Sequence, residues 1–133
     1  ESIGSDRKRV LIVDDEPEIV SLVTDLLEGD GRFEVRSATT GYDAGMETER
    51  FKPHLIVLDY MLPDINGNIV CQRVRENDQN GDTRVLCVSG AIEQVEVESL
   101  MQAGADGFLK KPFELRELVD RIEGLLQIPS KQG

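Results

Sequence analysis

Three carboxylates, a hydroxyl and an ammonium stand in this chain where a short apolar run has just ended. Asp14 and Asp15 follow residues 9–13, Asp59 follows 55–58, Ser89 closes 85–89, and Lys111 comes just after 106–109. Carboxylates crowded together repel, which raises at least one pKa unless a cation offsets them. Oxygen ligands that leave room for water are what Mg²⁺ selects. A lysine supplies a fixed positive charge and a serine hydroxyl a directional donor, so the set suits the oxygens of a phosphoryl group. Asp59 is the nucleophile such a site needs, attacking phosphorus to make an acyl phosphate. Each residue also has a plainer reading. Asp14 and Asp15 would cap a helix, Ser89 would serve a turn, Lys111 would be solvated, and Asp59 would end a strand. The choice depends on whether the intervening elements bring them to one place.

Leu55, Ile56, Val57 and Leu58 form a continuous apolar run, as in a strand buried on both faces of a parallel sheet. Pro63 and Gly67 then break regular structure. Residues 9–13 give a similar strand signal, ended by Asp14-Asp15-Glu16-Pro17. The proline suits the first turn of a helix and the acids its positive end. Ile19, Val20, Val23, Leu26 and Leu27 recur at helical spacing until Gly29, Asp30 and Gly31 stop the stripe. Residues 33–38 alternate apolar with polar, as an edge strand with one wetter face does. A second helix over 41–51 carries Ala44 and Phe51, and Pro53 closes it. A third, over 68–77, turns Ile69, Val70 and Val74 inward before a polar turn at 77–82. Residues 85–89 are a fourth strand. Residues 93–103 read as a helix with Val97, Leu100 and Met101 as core, Glu93, Glu96 and Glu98 outside, and Gly104 as its stop. A short fifth strand at 106–109 leads through Lys110-Lys111-Pro112 to a helix over 114–126 with a wide apolar stripe. Residues 1–8 read as a flexible segment and 128–133 as a frayed tail or the start of a linker.

Five strands alternating with five helices imply right-handed βαβ units, a parallel sheet covered on both faces, and one α/β domain over 9–127. In open sheets of this class ligands bind at the carboxyl ends of the strands. Every residue of the chemical set falls at such an end, so all can converge on one rim. That joint placement favours the site over the plainer readings.

The totals narrow the partners. A length of 133 residues is enough for a single core. A net charge of −11 counts against nucleic acid and against an anionic membrane surface, since phosphate backbones demand a basic face. It fits a partner with a basic patch, or a cation held among carboxylates. Cys71 and Cys87 make no disulfide framework and lack metal-ligand spacing, which points to a reduced cytoplasmic setting. No apolar run approaches the ~20 residues of a membrane span. Beginning at Glu1 rather than Met, the chain reads as an excised piece or one with added N-terminal residues.

In order along the chain stand Val-Asp-Asp-Glu at 13–16, Leu-Asp-Tyr-Met-Leu-Pro-Asp-Ile-Asn-Gly at 58–67, Ser-Gly-Ala at 89–91, Gly-Ala-Asp-Gly-Phe at 104–108 and Lys-Lys-Pro-Phe at 110–113. As an ordered set they resemble the receiver domain of two-component response regulators, over residues 9 to 126. The resemblance implies a flavodoxin-like (βα)5 domain with sheet order 2-1-3-4-5. It implies that Asp59 accepts a phosphoryl group from a phosphohistidine on a histidine kinase or phosphotransfer protein. Asp15, Asp59 and the backbone carbonyl of Met61 would bind Mg²⁺, with Asp14 acting through water. Ser89 and Lys111 would contact the phosphoryl oxygens, and the Lys111–Pro112 peptide would be cis. Lys111 rather than Lys110 takes the lysine role because it directly precedes the proline; Lys110 would face away and meet a partner. His54, at the far end of its strand, is read as structural.

Ser89 stands where the family often has Thr, Phe108 where it often has Tyr, and Asn66 where it often has Asp. None of these removes a chemical role. Ser89 and Phe108 are the expected switch pair, reshaping a surface made by the fourth helix, fifth strand and fifth helix, where a partner or a second copy would dock. The domain would act as a signalling switch with self-catalysed phosphotransfer and autodephosphorylation only. Two other classes share parts of the pattern. A Mg²⁺-dependent phosphohydrolase with an aspartyl nucleophile usually carries an acid/base Asp two residues on, where this chain has Met61, and commonly needs a cap insertion that is lacking. A receiver-like adaptor that ignores phosphate would be favoured by a missing Asp or Lys, and none is missing.

Overall fold

The computed structural model describes residues 7–78 and 81–131. Strand and helix alternate along them: β1 (Lys8–Val13), α1 (Pro17–Asp30), β2 (Phe33–Ala38), α2 (Gly41–Phe51), β3 (Leu55–Asp59), α3 (Gly67–Asn77), β4 (Arg84–Ser89), α4 (Gln94–Gln102), β5 (Gly107–Lys110) and α5 (Leu115–Leu126). Most of the segment expected to be flexible, residues 1–6, lies outside the described residues, as do 79–80 of the polar turn and 132–133 of the tail. The strands form one parallel sheet in the order β2-β1-β3-β4-β5. The fold is the expected doubly wound, flavodoxin-like one, with β2 at an edge.

Successive side chains of a strand point to opposite faces, and the core divides accordingly. Leu11, Val13, Ile56, Leu58, Val85 and Cys87 pack with Ala44 and Phe51 of α2, Val70 and Val74 of α3, and Leu100 of α4. Val10, Ile12, Leu55, Val57, Leu86 and Val88 pack on the other face with Val23 and Leu27 of α1 and Leu118 and Ile122 of α5. All five residues of β3 are buried. With each fully buried Val, Leu or Ile worth about 1.5–3 kcal/mol, this strand is a firm base for the residue at its end. Asp59 is the last of the five residues of β3, with the β1 and β4 registers fixed alongside at Val13↔Leu58 and Asp59↔Val88.

Two expectations need correction. Met101 is exposed rather than core, and Val97 is only half-buried; Leu100 alone anchors α4 in the core. Each helical residue turns about 100° from the last, so a nine-residue helix aimed at the sheet through Leu100 leaves Met101 on its flank. The C-terminal segment does not fray over its described part. Ile128 packs against the α1–α5 side of the core, the Lys131 backbone N–H donates to Glu123 Oε2 at 3.1 Å, and Arg32 Nη1 donates to the Pro129 carbonyl at 2.9 Å. Arg32 also pairs with Asp30 at 2.6 Å and with buried Glu123 at 2.8 Å, so this tail is held by charge as well as by packing.

Candidate functional site

Asp14 and Asp59 leave the sheet side by side. The Asp14 N–H donates to the Ala38 carbonyl at 3.1 Å and the Tyr60 N–H to the Val88 carbonyl at 3.0 Å, so the sheet's bonding carries one step past each strand. Both carboxylates are buried, whereas Asp15, the next residue along the chain, is exposed. Carboxylate oxygens of Asp14, Asp15 and Asp59 all lie within 4.8 Å of one another. Two sunken acids and one facing solvent form an oxygen donor set open to water, which fits a hard divalent cation.

Lys111 reaches this cluster from the loop after β5. Its Nζ lies 2.9 Å from Asp14 Oδ2, 2.8 Å from Glu16 Oε1 and 3.6 Å from Asp59 Oδ2. The Lys111–Pro112 peptide is cis, and the Lys111 N–H donates to the Ser89 carbonyl at 2.9 Å, which ties the lysine's backbone to the end of β4. Lys110 is exposed and takes no part in the cluster.

The electrostatics follow from these positions. Burial pushes the Asp59 carboxyl up to about 6, and the charge of Asp14 adds to the rise. Lys111 and a hydrogen bond from the Met61 N–H, at 3.3 Å, pull against it. Burial opposes the charge on Lys111, yet hydrogen bonds to Glu16 and Asp14 and the charges of Asp14 and Asp59 outweigh it and raise its pKa. The ammonium is a permanent cation at neutral pH.

The loop after Asp59 closes tightly over the strand end. Met61 pairs with Asn66 in an antiparallel bridge, and the Gly67 N–H donates to the Tyr60 carbonyl at 2.6 Å. A Cβ on Gly67 would come within 2.8 Å of the Tyr60 Cα and 3.1 Å of the Asp59 carbonyl oxygen, so only glycine lets the turn lie this close. Asp64 fastens the same loop to α2, its carboxylate accepting from the Gly41 N–H at 2.8 Å and the Tyr42 N–H at 3.0 Å.

Of the residues singled out, Asp14, Asp15, Asp59 and Lys111 meet in one cluster. Met61 lies at its edge, half exposed. Ser89 is buried at the end of β4, its Oγ accepting from the Ala91 N–H at 3.4 Å. Phe108 is half-buried against the α3–α4 side of the core, opposite Cys87 in the sheet register. His54 is structural: its Nδ1 accepts from the Arg9 N–H at 2.9 Å, away from the rim.

The family model for the response regulator receiver domain matches residues 10–123. The chain belongs to this family. Among curated relatives, the receiver domain is 36% identical over 119 residues to the DNA-binding dual master transcriptional regulator RpaA of Synechocystis, covering 90% of this chain and 49% of that protein. It is 39% identical over 119 residues to the transcriptional regulatory protein TrcR of Mycobacterium tuberculosis, covering 90% of this chain and 45% of that one. The chain spans about half the length of the curated relatives it matches. Among solved structures it superposes on Vibrio cholerae chemotaxis protein CheY4 with a TM-score of 0.84 at 27% identity, covering 90% of this chain and 99% of that one. A CheY-like receiver domain protein from Methanospirillum hungatei gives 0.85 at 29% identity, covering 91% and 94%. The receiver domain is thus a signalling module of two-component systems, and no described helix is long and apolar enough to cross a membrane.

Two contacts of the receiver domain were not foreseen. The sequence marks Glu16 only as an acid at a helix start, yet its carboxylate reaches Lys111. The helical spacing puts Glu96 outside, yet it is half-buried, closes a capping box with Glu93, and lies 3.5 Å from the Tyr60 hydroxyl. The capping box lacks the Ser or Thr that usually opens one, and the contacts with Tyr60 and Lys111 had no local signal.

Proposed function

We propose that this domain is a phosphorylation-dependent switch whose acceptor is Asp59 and whose donor is a phosphohistidine on a histidine kinase or phosphotransfer protein. The observation that carries the reading is the buried Asp59 carboxylate, placed among Asp14, Asp15 and the Lys111 ammonium at the end of the central strand. An Asp59 oxygen attacks phosphorus, an O–P bond forms and the P–N bond breaks. The departing imidazole nitrogen keeps the electron pair and draws a proton from water. Lys111 meets the charge on the phosphoryl oxygens. Ser89 turns its hydroxyl from its own loop to one of them.

The donor set suits Mg²⁺, which Asp15, Asp59 and the Met61 carbonyl would hold, with Asp14 acting through water. Bound there, the ion would neutralise negative charge on the transferring group and on the carboxylates. The chemistry ends on the domain's own aspartate, so the domain acts as a switch with self-catalysed phosphotransfer and autodephosphorylation rather than as a metabolic enzyme. Its setting is cytoplasmic, where soluble kinase modules deliver phosphate, and the surface of α4, β5 and α5 is where a second copy docks. Several relatives are named DNA-binding regulators. With a net charge of −11 this domain itself makes no DNA contact in our reading.

Acetyl phosphate with Mg²⁺ should add one phosphoryl group, seen by intact mass, and Asp59→Asn or EDTA should abolish it. Equal labelling of Asp59→Asn would remove Asp59 from the acceptor role.

A further inference from the structure

Glu16 stands at the N-cap of α1, where an acidic side chain ordinarily bonds a free backbone N–H. It makes no such bond. Its carboxylate instead crosses to the loop after β5 and takes Lys111 Nζ at 2.8 Å. The Glu16 backbone N–H donates to Asp14 Oδ1 at 2.9 Å, and Asp14 Oδ2 takes the same Nζ at 2.9 Å. Asp14 and Glu16 therefore hold the ammonium from one side as a unit. Drawn that way, Nζ stops 3.6 Å from Asp59, beyond ordinary hydrogen-bond length.

The two arms of this clamp differ in how easily they let go. The Asp14 side chain is 2% exposed and has no water to return to, while that of Glu16 is 56% exposed. Releasing Glu16 costs little, because an exposed carboxylate is rehydrated at once. We propose that Glu16 is a positioning residue, a releasable latch that holds Lys111 back from Asp59 until a phosphoryl group draws the lysine across. The inference rests on Asp59 being the phosphoacceptor. The latch opposes phosphorylation and gives way when the phosphoryl oxygens offer Lys111 a stronger partner. It thereby sets how readily the unphosphorylated domain is charged.

The test uses acetyl phosphate with saturating Mg²⁺, beryllofluoride affinity by ¹⁹F NMR, and the ¹H–¹⁵Nζ resonance of Lys111. Glu16→Gln removes the charge; Glu16→Asp keeps the charge but is one methylene too short to reach. Glu18→Gln, an exposed acid in the same first turn, is the charge control. The latch predicts that Glu16→Gln and Glu16→Asp both raise the phosphorylation rate and tighten beryllofluoride binding by roughly two- to fivefold, with a shifted Lys111 Nζ resonance, while Glu18→Gln matches wild type. Glu16→Asp behaving like wild type while Glu16→Gln and Glu18→Gln both speed the reaction would show a general charge effect and overturn the latch. A change in unfolding stability alone, with rates and the Nζ resonance unmoved, would reduce Glu16 to a helix-start residue and overturn it too. Failure of wild type to be labelled at Asp59 would instead remove the acceptor reading, which Asp59→Asn in the same series detects separately.

Discussion

At the scale of single residues, Asp59 carries an electrostatic cost. Its carboxyl is pushed from 3.8 to about 6, first by burial and then by the charge of Asp14. A raised carboxylate pKa means that the folded state binds the proton more tightly than the unfolded chain does. Asp59 therefore costs the metal-free fold little near pH 4, and the penalty grows as pH rises through about 6. In EDTA at pH 7.5, Asp59→Asn should raise stability by about 1–3 kcal/mol, the order expected for a shift of this size. At pH 4.5 most of that gain should vanish. Urea unfolding of both proteins at the two pH values checks this, and an equal gain at both would show that ionisation is not the cause. Mg²⁺ should stabilise wild type by mass action while doing less for the variant, which lacks one carboxylate of the donor set.

At the scale of elements, the frame was legible because its signals are local. The apolar runs before Asp14, Asp59 and Ser89 announced buried strands, and their ends placed the chemical residues on one rim. Contacts between side chains distant in sequence had no such signal. Glu16 meets Lys111 across 95 residues and Arg32 meets the Pro129 carbonyl across 97. Helical period marked Met101 as part of an apolar stripe but could not say how narrow a strip of α4 the sheet would cover. The docked tail yields a prediction of its own. Glu123 is buried in α5, and the hydrogen bond from Arg32 holds its carboxyl below the usual glutamate range despite the opposing effect of burial. A lowered carboxylate pKa gives stability that is full above about 4.5 and is lost as pH falls through the depressed value. Glu123→Gln should cost about 1–2 kcal/mol at pH 7, as loss of a charge-assisted hydrogen bond does, and should speed amide exchange at Lys131. Its deficit relative to wild type should shrink as pH falls below about 4.5 and vanish once the folded carboxyl is protonated. A deficit independent of pH would point to packing rather than the ion pair.

At the scale of the whole molecule, Asp59, the proposed acceptor, is joined to one face by two routes. Tyr60, next to Asp59, reaches Glu96 on α4 with its hydroxyl. Ser89, at the end of β4, receives the Lys111 N–H and pairs with Lys110 in the register, so the β4 end and the β5 end move as neighbours. Beyond them α4 reaches the core through Leu100, its one fully buried residue, whereas α1 buries two and α5 three. A phosphoryl group on Asp59 would draw the Ser89 hydroxyl inward and open space behind it. Phe108, half-buried and apolar, gains by filling that space in place of water. The surface of α4, β5 and α5 would then change shape, by no more than the differential free energy that the phosphoryl contacts supply to the two states. Ser89→Ala should therefore still accept phosphate at Asp59 while losing much of the coupling to that face. Amide NMR shifts of residues 90–116, with and without beryllofluoride and Mg²⁺, measure it directly. Wild type should shift across α4 and β5, and Ser89→Ala should shift near Asp59 but far less beyond Ala91. Equal shifts in both proteins would leave the Tyr60–Glu96 contact as the route, and no shift in wild type would deny this surface a part in the switch.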